Sequence, residues 1–217
     1  MSKGADSYRH KGLRQKLVDE IRNKGIQDDR VLAAILAVPR HLFLDKAFEE
    51  WAYKDSAFPI ECDQTISQPY TVAFQTELLR VDPKDKILEI GTGSGYQACV
   101  LSELGAKVYS IERQKSLFTH TSAHLKEIGY AAVRTFFGDG FKGLPMFAPF
   151  DKILVTAAAP EVPKALLEQL KIGGCLVIPV NKGTYQKMKR ITRISESEYK
   201  EESFGDFRFV PMLGGTE

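Results

Sequence analysis

The chain has 217 residues, enough for one domain with a full hydrophobic core and too few for two comfortable ones. Hydrophobic residues make up 43% and charged residues 27%, the balance of an ordinary globular protein. A formal net charge of +2 lacks the basic excess that nucleic-acid binding demands, so no nucleic-acid partner is expected.

The first fifteen residues are polar and charged with no apolar stretch behind them. Neither a signal peptide nor a membrane span is expected, and the expected place is the cytoplasm. Leu13, Leu17, Val18 and Ile21 recur at helix spacing until Gly25 stops the run. Asp28 and Asp29 can cap a second helix carrying Val31, Leu32, Ile35 and Leu36, which Pro39 ends. A short amphipathic piece follows at 47–53. Residues 59–71 hold Pro59, Asp63, Thr65, Ser67 and Pro69, the texture of a loop, and 71–80 read as helix again.

From there the pattern alternates. Strand-like runs at 86–90, 107–111, 133–137, 152–155 and 175–180 are separated by helical patterns, among them 96–104, 114–128 and 162–170. Alternation of this kind means βαβ units and a mainly parallel sheet covered on both faces. Two β-rich segments close the chain at 187–195 and 202–210, with no helix-sized piece between them, so at least one is antiparallel. The expectation is a doubly wound, seven-stranded α/β domain with extra N-terminal helices. It is one domain over 1–217: about 1–80 form the helices and a site loop, and about 81–217 the cofactor-binding sheet and final strands.

Three scattered cysteines, Cys62, Cys99 and Cys175, form no CxxC pair. Cys99 and Cys175 lie among apolar residues and read as buried thiols, which suits a reducing compartment. His120 and His124 have a metal-ligand spacing on a helix, but no HExxH frame or third ligand accompanies them. A solvated helix face is the better reading, and no metal is expected.

The apolar run Ile87-Leu88-Glu89-Ile90 leads directly into Gly91-Thr92-Gly93-Ser94-Gly95, and a helical segment starts at Tyr96. Strand, glycine loop and helix in sequence let the backbone turn tightly and approach a ligand. The next strand ends in Glu112, placed to accept hydrogen bonds from both ribose hydroxyls of an adenosine; a surface Glu at a strand end is the plainer reading. Gly138-Asp139-Gly140 follows the third strand, where Asp139 either receives an adenine amino group or simply makes a turn. The loop is G-x-G-x-G rather than G-x-G-x-x-G, which suits S-adenosylmethionine better than a pyrophosphate-bearing dinucleotide. The stretch Leu88 to Gly95 resembles the first motif of the Rossmann-like methyltransferases. After the fourth strand the chain reads Thr156-Ala157-Ala158-Ala159-Pro160, which offers no polar group to an amine and argues against methylation of bases.

The run Gln64-Thr65-Ile66-Ser67-Gln68-Pro69-Tyr70, together with Val38-Pro39-Arg40-His41-Leu42-Phe43, resembles the protein-L-isoaspartate O-methyltransferase family. Gly95-Tyr96-Gln97-Ala98, 108–113, Gly138-Asp139-Gly140 and Phe209-Val210-Pro211 extend the likeness over nearly the whole chain. Cys62-Asp63, where a glycine is common, and Met212, where Leu is common, depart from it.

The resemblance implies transfer of a methyl group from S-adenosylmethionine to the free carboxylate of L-isoaspartyl residues in damaged proteins and peptides. S-adenosylhomocysteine is then the co-product, and the methyl ester collapses to a succinimide that hydrolyses partly to normal aspartyl. It also implies roles for particular residues. Ser67 is the active-site serine beside the accepting carboxylate. Gln64, Thr65 and Ile66 cover the cofactor. Ser94, Glu112, Asp139 and Gly140 contact it, as do Gly91, Thr92, Gly93 and Gly95 of the loop. Val210 lines the substrate cleft. Ser67 is equally well placed to cap the helix that follows, and the two roles are compatible. Arg40 and His41 carry no role beyond packing or capping. A monomer is expected. A methyltransferase of the same fold acting on a small molecule is the alternative, and a non-catalytic adenosine-binding module is a third.

Overall fold

In the computed structural model, which describes residues 6–217, most elements lie close to their sequence signals. Residues 1–5 of the polar leading stretch lie outside that description. Ser7 caps α1 (Tyr8–Asn23) by accepting the His10 N–H, and Leu17, Val18 and Ile21 of that helix are buried. Asp28 caps α2 (Asp29–Ala37) by accepting from the Arg30 N–H, as its position foretold. Two 3₁₀ segments follow, Arg40–Phe43 and Lys46–Trp51. The 59–71 loop holds a small antiparallel ladder of β1 (Phe58–Pro59) and β2 (Thr65–Ile66), and α3 (Pro69–Leu79) leaves it.

The alternating half then runs β3 (Lys86–Ile90), α4 (Tyr96–Glu103), β4 (Lys107–Glu112), α5 (Lys115–Glu127), β5 (Arg134–Phe137), β6 (Phe150–Val155), α6 (Lys164–Glu168), β7 (Leu170–Lys182), β8 (Tyr185–Arg193) and β9 (Tyr199–Phe207). The seven long strands form one sheet in the order β5-β4-β3-β6-β7-β8-β9. β5 through β7 are parallel, and β8 is antiparallel to both of its neighbours. The sheet's end is thus a meander in chain order.

Side chains alternate across the strands, so each strand feeds two cores. Ile87, Val108, Leu154 and Val177 pack with α1, α2, α3 and α4 on one face. Leu88, Ile90, Ile111, Ile153 and Ile178 pack on the other, with Leu166 of α6. The N-terminal helices therefore share a face with α4 and help bury the sheet there. Cys99 and Cys175 are buried free thiols, as their surroundings predicted, and Cys62 is half-buried.

Two readings are corrected. The helix expected over 162–170 is only the five residues of α6, because Leu170 already belongs to β7. β7 is far longer than 175–180, since Gly173-Gly174 does not end it. A side chain on Gly174 would meet the Asp151 carbonyl oxygen at 2.6 Å, so glycine there marks a close approach of strands rather than a turn.

Candidate active site

The parallel strands β3, β4, β5 and β6 all end at one edge of the sheet, and each sends its following residues into the same crevice. After β3 the glycine loop is held by its own backbone: the Gly91 and Thr92 N–H groups both donate to the Ile111 carbonyl, at 2.9 and 3.2 Å. Gly91 has φ 96°, and a Cβ on it would lie 2.6 Å from Thr156 Oγ1. Gly95 has φ 86° and packs against Leu125 and Thr121 of α5, so α4 can start immediately after it.

A buried chain of polar groups supports this loop from beneath. Thr92 Oγ1 lies 2.7 Å from Ser110 Oγ, and Ser110 donates to Glu89 Oε2 at 2.5 Å. Glu89 is fully buried, and burial pushes its carboxyl up to about 8. The Thr92 hydroxyl is therefore turned into the protein rather than toward a ligand. The sequence signal for this support was an acidic residue in the middle of an apolar strand.

Glu112 ends β4 beside the loop. Its Oε2 accepts from Gly93 N–H at 3.0 Å, and its Oε1 from the Arg113 and Gln114 N–H groups at 2.9 and 3.0 Å. Glu112 lines a crevice of about 70 Å³ with Ile90, Gly91, Gly93, Ile111 and Gly140, and Gln64 and Thr65 face them. A Cβ on Gly140 would collide with Ile90, so that position must be glycine for the chain to pass.

Asp139 stands back. Its Oδ1 accepts from Phe141 N–H at 2.9 Å and its Oδ2 from Gly215 N–H at 3.0 Å. The C-terminal residues thus lie along the crevice, with Met212 and Leu213 in its wall. Glu217 anchors them: its main chain bonds to Arg113 and Lys115, and its carboxylate pairs with Arg113 Nη1 at 3.0 Å. Nothing in the sequence pattern announced this closure.

Next to the crevice lies a cleft of about 510 Å³ that includes Ser67, Tyr185, Arg208 and Val210. Thr65, Thr156 and Val210 line both spaces, so the two are contiguous. A third hollow of about 40 Å³ joins Ile66 and Ser67 to Gly91, Thr92, Gly93 and Ser94 of the glycine loop. Of the residues expected to bind cofactor or substrate, only Gly95 and Asp139 line none of these three spaces.

Ser67 does not cap α3. Gln68 is the N-cap residue, without a side-chain bond of its own. The cap comes from a distance: Asp55 Oδ1 accepts the Tyr70 N–H at 2.7 Å, and Asp55 Oδ2 accepts from Gln68 Nε2 at 2.9 Å and Lys24 Nζ at 2.6 Å. Asp55 thereby ties down both residues that flank Pro69, next to Ser67. Neither its role nor that of Thr156 was legible, because both are contacts across the fold. Thr156 Oγ1 donates to the Ile90 and Gly91 carbonyls, each at 2.9 Å.

Comparison with known proteins agrees with this geometry. The family model for protein-L-isoaspartate(D-aspartate) O-methyltransferase matches residues 12–217. A protein-L-isoaspartate O-methyltransferase of Christiangramia forsetii is 58% identical over 208 residues, covering 96% of this chain and 97% of that protein. That of Cytophaga hutchinsonii is 59% identical over 209 residues, covering 96% and 94%. Among solved structures, a protein-L-isoaspartate O-methyltransferase superposes with a TM-score of 0.85 at 29% identity, over 93% of this chain and 66% of that one. A Plasmodium falciparum structure, described as a beta-aspartate methyltransferase in complex with S-adenosyl-L-homocysteine, has the same fold, with a TM-score of 0.81 at 24% identity over 92% and 98%. On a match that spans nearly its whole length, this chain belongs to the protein-L-isoaspartate(D-aspartate) O-methyltransferase family.

Proposed function

We propose that this chain transfers a methyl group from S-adenosylmethionine to the free carboxylate of L-isoaspartyl residues in damaged proteins and peptides, starting their repair. One observation carries the reading: the crevice at the glycine loop and a cleft holding Ser67 share Thr65, Thr156 and Val210 as walls. A donor in the first and an acceptor in the second meet across those residues.

The crevice fits the cofactor. Gly91 and Gly93 open a cradle free of side chains, Glu112 offers carboxylate lone pairs to ribose hydroxyls, and Ile111, Met212 and Leu213 give apolar faces for a base. Gln64 and Thr65 face it, Ile66 lies in the adjoining hollow, and Gly140 lets the backbone pass close behind. Ser94 lies where the loop meets Ser67. Asp139 acts through the tail, by holding Gly215, rather than by direct contact. When bound, S-adenosylmethionine supplies an electrophilic methyl group on a sulfonium centre.

The protein's share of the chemistry is modest. A substrate carboxyl has a pKa near ~4 and is already an anion at neutral pH, so no general base is needed. Ser67 donates one hydrogen bond that orients the carboxylate. Arg208, in the same cleft, adds a positive charge that attracts it. Holding the attacking oxygen in line with the methyl carbon and sulfur supplies much of the acceleration.

Product analysis with small carboxylic acids and an isoaspartyl peptide in competition tests the substrate class. The account predicts methyl ester on the peptide alone. Comparable kcat/KM for a small acid would move the assignment to the small-molecule alternative.

A further inference from the structure

Away from the methyl-transfer site, the start of α1 meets the Arg40–Phe43 turn in a cluster of Asp6, His10 and His41. One ligating atom of each lies within 4.8 Å of the others. The rings of His10 and His41 face each other with centroids 3.8 Å apart and planes tilted by 35°. His41 is 95% buried, at 5% exposure. Its Nε2 and the Nδ1 of His10 are both buried without a hydrogen-bond partner among the described residues. Rings stacked face to face cannot satisfy each other, because imidazole nitrogens bond in the ring plane. Two unpaired buried nitrogens therefore need another partner.

We propose that Asp6, His10 and His41 form a binding site for a divalent transition metal, zinc being the ion that best suits two imidazoles and a carboxylate. The outer contacts are those of a metal site. His10 Nε2 lies 3.2 Å from Glu49 Oε1, which keeps the proton on Nε2 and leaves the Nδ1 lone pair facing inward. His41 Nδ1 lies 2.6 Å from the Tyr53 hydroxyl, which also accepts from Arg14 Nη1 at 3.0 Å. With Nδ1–H donated to Tyr53, His41 Nε2 keeps its lone pair for a ligand.

Asp6 is already paired with Arg14 through both oxygens, at 3.0 and 2.9 Å, but each oxygen keeps a second lone pair. Asp6 and Glu49 offset Arg14 and leave the site with one net negative charge for a dication. Ligands around a tetrahedral zinc stand about 3.3 Å apart, so closure asks for a shift on the order of 1 Å. The bound metal would fasten α1 to the turn whose Arg40 covers the Tyr96 ring at the start of α4.

The test uses the full-length protein without a histidine tag, stripped with a chelator and dialysed. Zinc chloride is added in a calorimeter, and cobalt(II) is followed by its visible absorption. The expected result is one equivalent bound, intense tetrahedral cobalt bands and a rise in Tm with zinc. His10→Gln, at a position near the surface, should weaken zinc at least tenfold and abolish the Tm rise, and Asp6→Asn should weaken it as well. His120→Gln, at the exposed histidine paired with Glu61, should bind as the parent does. No stoichiometric binding by the parent, or unchanged binding by His10→Gln, would overturn the proposal.

Discussion

At the residue scale, the proposed reading gives Ser67 to the acceptor and Glu112 to the donor. On that reading Ser67 contributes one hydrogen bond to an anion, worth about 1.5–3 kcal/mol. Ser67→Ala should therefore lower kcat roughly ten- to hundredfold, while calorimetry finds S-adenosylmethionine affinity unchanged; wild-type kinetics would remove the role. Glu112→Ala loses the ribose contacts and the prop under Gly93, so it should weaken cofactor binding by about the same factor. Glu89 makes a pH prediction. Its folded value, about 8, lies above the ordinary 4.5, so the folded state holds a proton that the unfolded state releases between those limits. Its contribution is complete below pH 4.5 and is lost as pH rises through about 8. Glu89→Gln should flatten that decline in denaturation midpoints measured across the range; an unchanged slope would mean the carboxyl is ionised inside the fold. Glu112 was legible from its place at a strand end behind a glycine loop. The Glu89–Ser110–Thr92 support was not, because strand periodicity marks which face a residue takes but not what it meets there.

At the scale of elements, the strands and helices that carry strong periodicity were placed well, and the exceptions have causes. β3 appears with the bounds its apolar run suggested, and α4 and α5 within a residue of theirs. α6 fell short and β7 ran long because a glycine pair marks both turns and close approaches. The clearest miss is the start of α3. Local sequence offered Ser67 as the cap, whereas Asp55 reaches across from another loop. Delegating the cap leaves Ser67 to the cleft. Asp55→Ala removes a cap worth about 1 kcal/mol and one of the two ion pairs of Lys24, at a carboxylate that is 2% exposed. A loss of Tm by several degrees is expected, at roughly 2–4 °C per kcal/mol for a domain of this size. Because the change also loosens the segment bearing Ser67, kcat should fall while cofactor affinity holds. A lower Tm with unchanged kcat would make Asp55 a purely structural cap.

At the scale of the whole molecule, the doubly wound sheet, its antiparallel end and the extra N-terminal helices were all legible from alternation of period and from length. Two things were not. The face taken by α1 and α2 depends on which strand residues remain uncovered, and the return of the C-terminal residues to Arg113 and Asp139 rests on a few long-range bonds. No helix among the described residues is long and apolar enough to cross a membrane. What the molecule as a whole does follows from placing donor and acceptor on two sides of one wall. The most direct test is methyl transfer from labelled S-adenosylmethionine to two matched peptides, one isoaspartyl and one normal aspartyl. The account predicts base-labile label on the isoaspartyl peptide alone. Equal labelling of the two peptides, or cofactor binding with label on neither, would contradict it.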